Sequence, residues 1–113
     1  MNERSAVVLA SGRLVQWREG GPAHVEFDAR RVLRREESKG DIAGFFHTHP
    51  PGVPGMSARD GRTMQAWAQC FGRPLLCAIR CGRRTRAWLC GKDGSAREVA
   101  SVILKGASIQ WTP

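Results

Sequence analysis

IAGFFHTHP, the sequence of residues 42–50, decides how this chain is organised. The apolar residues 42–46 predict a buried strand. Side chains alternate along a strand, so His47 and His49 project to one face and Thr48 to the other. Pro50 ends the strand because it has no N–H group to offer a sheet. The stretch therefore predicts a strand whose end presents two imidazoles side by side.

A loop and the start of a helix follow this strand. Residues 51–55 contain two prolines and two glycines, which is typical of a loop. Ser57 predicts a helix N-cap, and this places Asp60 at the third helical position. A loop this short can bring the Asp60 carboxylate to the imidazoles of His47 and His49.

Two imidazoles and one carboxylate are ligands that zinc accepts. Three protein ligands are typical of catalytic zinc sites, whereas structural sites use four. A further carboxylate is then needed to take and return a proton. Two half-buried histidines and a capping box from Ser57 to Asp60 would explain the same residues without a metal. That alternative leaves the clustering of His47, His49 and Asp60 within fourteen residues unexplained.

These residues resemble a known signature. His47-Thr48-His49-Pro50, followed after a loop by Ser57-x-x-Asp60, is similar to the JAMM (MPN+, Mov34/JAB) zinc metalloprotease motif. The family's other catalytic residue is a glutamate that precedes a small residue and an apolar strand. Glu3 fits this pattern, with Ala6 at the small position.

The resemblance implies a metallopeptidase of the prokaryotic JAB type. His47, His49 and Asp60 would hold one Zn²⁺ per chain, Glu3 would act as general base and then acid, and Ser57 would hydrogen-bond the reacting carbonyl oxygen. The family's substrates imply an amide or isopeptide bond at the C-terminus of a ubiquitin-like or sulfur-carrier protein. Chemistry alone does not select Glu3, because a terminal glutamate is often exposed. The other candidates for the base are Glu26, Glu36 and Glu37.

Two other classes remain open. One is a catalytically silent MPN-type binding module that keeps zinc for structure. The other is a RadC-like nucleic-acid-binding protein, because RadC-type proteins share the His-x-His and Asp spacing. A basic cluster supports the second class and comprises Arg80, Arg83, Arg84 and Arg86. The Thr-His-Pro form of the motif counts against it, so a nucleic-acid partner is disfavoured.

Composition sets the broader limits. One hundred and thirteen residues predict a single domain over residues 1–113. The net charge of +8, carried mostly by arginine, fits an acidic partner or a solvated basic surface. No stretch is long and apolar enough to cross a bilayer, and the opening residues lack the apolar core of a secretory signal. We therefore expect a cytoplasmic protein without a membrane partner.

The cysteines and the third histidine carry less information. The four cysteines form no Cys-x-x-Cys pair, so we expect buried free thiols at Cys70, Cys77, Cys81 and Cys90. A Cys–His protease is a poor alternative, since the clustered histidines suit a metal better. His24 is interpreted as a surface or turn residue.

The remaining pattern predicts an α/β domain. A helix at residues 29–38 begins at Asp28, has an apolar stripe of Ala29, Val32 and Leu33, and ends at Gly40. A longer helix covers residues 58–71. Strands are predicted at residues 5–10, 13–17, 24–27, 41–49, 74–80, 85–90 and 97–104, and the tail from residue 105 is unassigned. We expect a mixed β-sheet sandwiched between helices, which resembles the MPN/JAB fold with its cytidine-deaminase-like layering.

Overall fold

A computed structural model describes residues 3–20, 27–53 and 55–113 of the chain. It contains two helices, α1 (Ala29–Lys39) and α2 (Ala58–Phe71). The strands are β1 (Arg4–Leu9), β2 (Leu14–Glu19), β3 (Ile42–His49), β4 (Leu75–Cys81), β5 (Arg84–Cys90), β6 (Ala96–Glu98), β7 (Ser101–Lys105) and β8 (Ser108–Thr112). The first six form one mixed sheet in the order β2-β1-β3-β4-β5-β6. Within it β3 and β4 are parallel, and the other neighbours are antiparallel.

The elements around the histidines confirm the predictions from sequence. Strand β3 ends at His49, and α2 begins after the N-cap Ser57. Helix α1 begins after Asp28, whose side chain accepts the Arg31 backbone N–H, and ends at Gly40. The predicted strand at residues 24–27 falls largely outside the described residues, as does His24. In the part of the chain that is described, no helix is long and apolar enough to span a membrane.

Both helices lie on one face of the sheet, so the expected helix on each face is wrong. Val32 of α1 and Met64 of α2 belong to the same core cluster as Phe45 of β3. The chain crosses from β2 to β3 through α1 and from β3 to β4 through α2, moving in the same direction along the sheet. Right-handed crossovers that move in one direction place their helices on one face.

The opposite face is covered by the hairpin of β7 and β8. This hairpin corrects the single strand predicted over residues 97–104 and the unassigned tail. Ile109 of β8 is fully buried against this face, and its N–H donates to the Gly12 carbonyl at 2.7 Å. Ile103 points outward and is 62% exposed. The chain leaves the main sheet near Val99, whose N–H donates to the Ala87 carbonyl, because the apolar face of the sheet must be covered.

Helix α1 also differs from its predicted stripe, because only Val32 is buried while Ala29 and Leu33 are exposed. Its charged residues are not simply solvated. Glu36 receives two hydrogen bonds from the Arg73 guanidinium, at 2.6 and 2.8 Å, and the same guanidinium donates to the Ile42 carbonyl. This ion pair ties α1 to the end of α2 and to the start of β3.

Glu36→Gln is expected to lower the free energy of unfolding by about 1 kcal/mol at neutral pH, as for a well-formed pair that water still reaches. The hydrogen bond from Arg73 is the largest cause that lowers the pKa of Glu36 below its ordinary value of 4.5. A lowered pKa in the folded state stabilises the protein above pH 4.5, and this stabilisation is lost as the pH falls through the lower value. Urea unfolding of both proteins across this range measures the difference, which should shrink in acid.

Glu37→Gln is the matched control. Glu37 is the next residue of α1, is exposed, and makes no ion pair with the described residues. Its replacement should leave the free energy of unfolding nearly unchanged at every pH. An equal effect of the two substitutions, or a difference that persists undiminished in acid, would contradict the assigned role of the Glu36–Arg73 pair.

Candidate metal centre

The two histidines are presented by a strand that is held closely in the middle of the sheet. Strand β3 pairs with β1 on one side and with β4 on the other. At Gly44 the strands approach so closely that a Cβ atom would clash with the Leu76 backbone, including its carbonyl oxygen. His47 and His49 follow on the face covered by the helices, the face to which Asp60 of α2 also belongs.

Three potential ligand atoms converge at this point. The Nε2 atoms of His47 and His49 are 3.0 Å apart. Asp60 Oδ1 lies 3.3 Å from His47 Nε2, and Asp60 Oδ2 lies 3.1 Å from His49 Nε2. A tetrahedral zinc ion with bonds of about 2.0 Å requires its ligand atoms to be about 3.3 Å apart. The donor set therefore fits the size and the chemistry of a zinc site.

The tautomer of His49 suits a metal ligand. Its Nδ1 lies 3.0 Å from the Val53 carbonyl oxygen. A carbonyl can only accept, so Nδ1 carries a proton, and Nε2 is the ring nitrogen that is left to bind a metal. Histidines that bind metals usually donate their other ring N–H in this way. No sequence pattern points to Val53, because the contact depends on the path of the loop and not on the side chain.

Asp60 is fixed by the cap of α2. The Ser57 backbone N–H donates to Asp60 Oδ2, and the Ser57 hydroxyl accepts from the Asp60 N–H, both at 3.0 Å. Burial, the largest influence, would raise the pKa of Asp60. The hydrogen bond that Asp60 accepts from His47, the charge of His47 and the Ser57 N–H together outweigh burial and leave the pKa below its ordinary value. Asp60 is therefore an ionised carboxylate at neutral pH. The Ser57 hydroxyl keeps its own O–H as a free donor.

Glu3 immediately precedes β1 and is buried, with 9% of its surface exposed. Its carbonyl accepts the Gly20 N–H, so the residue is held in place and not frayed. Ser5 is paired with His47, and the Arg4 N–H donates to the Thr48 hydroxyl at 2.9 Å. Continuing this register by one residue sets Glu3 opposite His49.

Two of the other three candidate glutamates are described, and both lie elsewhere. Glu36 is engaged by Arg73, Glu37 is exposed on α1, and Glu26 is outside the described residues. Neither Glu36 nor Glu37 belongs to the group of potential ligands around the histidines.

The cysteines do not add to the ligand set. All four are free thiols, of which Cys77 and Cys90 are buried as expected, whereas Cys70 is exposed because it lies on the outer side of α2. Burial raises the pKa of Cys77 well above its ordinary value and that of Cys90 to about 11, so both remain protonated at neutral pH. Cys81 is half-buried, and its thiol lies 3.3 Å from the Pro50 carbonyl oxygen.

Exposed arginines surround the candidate site. Arg83 lies in the turn between β4 and β5, and Arg84 begins β5 opposite Cys81, which is paired with His49. Arg59 and Arg62 are exposed in the first turns of α2. Arg86, which the sequence placed in the same basic cluster, is neutralised by Glu98 through two hydrogen bonds of 2.7 and 2.8 Å.

Fold and site together define a small α/β protein with a candidate metal centre of two histidines and one aspartate. The solution structure of protein DSY2949 from Desulfitobacterium hafniense is similar to this chain, with a TM-score of 0.56 and 23% sequence identity, over 92% of this chain and 79% of that one. At this identity the similarity concerns the fold alone. No protein-family model and no curated protein matches the sequence.

Proposed function

We propose that this protein is a zinc-dependent metallopeptidase of the JAMM type. The observation that carries the proposal is the convergence of His47, His49 and Asp60, in which the two Nε2 atoms are 3.0 Å apart and each lies 3.1–3.3 Å from an oxygen of the Asp60 carboxylate. Glu3 is buried, and the register of β1 against β3, continued by one residue, sets it opposite His49. This combination suits hydrolysis better than structural binding. A structural zinc site has four protein ligands, and only a catalytic site requires an adjacent carboxylate as a general base.

The residues divide the chemistry among them. A bound zinc ion supplies a Lewis acid that polarises a carbonyl group and acidifies water. The Glu3 carboxylate takes the proton of the attacking water and returns it to the departing amine. The free O–H of Ser57 donates to the carbonyl oxygen as negative charge develops on it. Asp60, held by the Ser57 N–H, fixes the distance between this donor and the metal ligands.

The surroundings support a protein tail as substrate. Strand β6 pairs only with Trp88–Cys90 of β5. The segment from Arg84 to Arg86 therefore has an outer edge to which none of the described strands is paired. An extended tail can add to such an edge as a further strand. The edge begins near His49, because Arg84 is paired with Cys81 and Cys81 is paired with His49. We propose the C-terminal tail of a ubiquitin-like or sulfur-carrier protein, and the exposed arginines favour an acidic one.

The experiment that tests this function uses an acidic ubiquitin-like protein fused through its C-terminus to a reporter. Release of the reporter is followed for the full chain loaded with zinc and for the same protein after treatment with a chelator. We expect cleavage that the chelator abolishes and that added zinc restores. One zinc per chain without any cleavage would instead favour an MPN-type binding module. Salt-dependent DNA binding that is indifferent to the chelator would favour the RadC-like alternative.

A further inference from the structure

The Ser5 hydroxyl is a buried polar group without a partner. Ser5 is 0% exposed, and its Oγ atom makes no hydrogen bond in the part of the chain that is described. A buried hydroxyl in this condition destabilises a protein, because it has given up its bonds to water and gained none in return. Alanine or valine would fill this strand position at lower cost. A serine at this position is explained if its hydroxyl gains a hydrogen-bond partner in another state of the protein.

The position of Ser5 in the sheet puts its side chain next to His47. Ser5 of β1 is directly paired with His47 of β3. It projects to the same face as His47, because Val7, two residues along β1, lies in the core cluster under the helices. Side chains of directly opposed residues in an antiparallel pair are close neighbours, with Cβ atoms about 5 Å apart. Rotation of the Ser5 side chain about χ1 can therefore bring Oγ to the ring of His47.

The two histidines differ in how their second ring nitrogen is held. His49 Nδ1 donates to the Val53 carbonyl. The side-chain contacts of His47 with the described residues run through Nε2, toward His49 and Asp60. A histidine that binds a metal through Nε2 carries its proton on Nδ1, and that N–H requires an acceptor. The unpartnered acceptor beside His47 is Ser5 Oγ.

We propose that Ser5 is a positioning residue for the metal centre. In the metal-bound state its Oγ accepts a hydrogen bond from His47 Nδ1–H, which fixes the ring and keeps the Nε2 lone pair directed at the metal. Ser5 and the Val53 carbonyl then act as a pair, one for each histidine. This inference rests on the proposed metal centre, and it concerns binding of the metal and not the hydrolysis step.

Ser5→Ala tests the inference by zinc titration against a competing chelating dye. We expect zinc affinity about 10-fold weaker than that of the unaltered protein, which is the usual effect of removing such a contact. The metal-free variant should melt at the same temperature or higher, since an unsatisfied hydroxyl has been removed. A structural role would give the opposite pattern, with lower melting temperature and unchanged affinity. Ser5→Thr keeps the hydroxyl and should restore most of the affinity.

Thr85→Val is the matched control. It removes a hydroxyl from the same sheet but on the hairpin face, where Thr85 is paired with Arg80. Its zinc affinity should equal that of the unaltered protein. Nitrogen-15 NMR of the unaltered, zinc-loaded protein gives a second measurement, in which His47 should show a protonated Nδ1 protected from solvent exchange. That signal should broaden or disappear in Ser5→Ala.

The outcomes separate the two proposals. If the unaltered protein binds zinc and Ser5→Ala binds it equally well with the same His47 signal, the role of Ser5 is overturned and the metal centre stands. If the unaltered protein binds no zinc, both the proposed function and the role of Ser5 are overturned. Weaker binding by Thr85→Val to the same degree would also overturn the assignment, because any hydroxyl of the sheet would then suffice.

Discussion

Asp60→Asn is expected to weaken zinc binding by at least about 100-fold and to abolish chelator-sensitive hydrolysis. Loss of a contact that only supports a ligand costs 10–100-fold in affinity, so loss of an ionised ligand should cost more. Asparagine has the same shape, and its carbonyl oxygen can still accept the Ser57 N–H that now bonds Asp60. The cap of α2 should survive, and the loss should therefore be specific to the metal.

Direct zinc titration of the purified chain measures this loss. Asp28→Asn is the matched control. The Asp28 carboxylate caps α1 by accepting the Arg31 N–H, but Asp28 is not part of the group around the histidines. It should bind zinc as the unaltered chain does. If Asp60→Asn retained full affinity, the carboxylate would be a helix cap only and the three-ligand site would be wrong.

Glu3→Gln is expected to reduce hydrolysis by about 10²–10⁴-fold, the usual contribution of a general base, while zinc affinity stays within a few-fold. Glutamine fits the same buried space and cannot accept the proton. Glu3→Gln should therefore lower hydrolysis and leave zinc affinity nearly unchanged, whereas Asp60→Asn should lower both. The reason is that Glu3 is not among the three groups whose ligand atoms converge.

Single-turnover cleavage of the reporter fusion, measured with zinc titration of the same preparation, checks this prediction. Glu19→Gln is a suitable control, since Glu19 is exposed on β2 and is paired with Arg4, the residue after Glu3. The control should cleave at the rate of the unaltered protein. Full activity of Glu3→Gln would move the base to another glutamate and would leave the zinc ligands in place.

The candidate ligand set was accessible from sequence because it depends on short-range patterns. Alternation along β3 puts His47 and His49 on one face, and the Ser57 cap puts Asp60 one turn from the loop. These are consequences of strand and helix geometry over fourteen residues, and distant parts of the chain hardly affect them. Glu3 required the family resemblance, since no local pattern distinguishes it from Glu36 or Glu37.

The sequence missed features that depend on which surfaces meet. Leu33 and Ala29 match a helical stripe yet are exposed, because α1 packs on the sheet mainly through Val32. Cys70 lies next to Phe71 in sequence but on the outer side of α2. The ion pair of Glu36 with Arg73 joins residues 37 positions apart, which no local pattern contains.

By itself, therefore, the sequence determined the elements around residues 42–60 and the three candidate ligands, because hydrogen bonding and side-chain periodicity within one strand and one helix turn are local. Only the tertiary structure decided that both helices share a face and that the C-terminal hairpin covers the other. It also decided that the Val53 carbonyl contacts His49 and that Ser5 is paired with His47. Those features follow from strand order and from the direction of each crossover, and these are fixed when the whole sheet buries its two apolar faces.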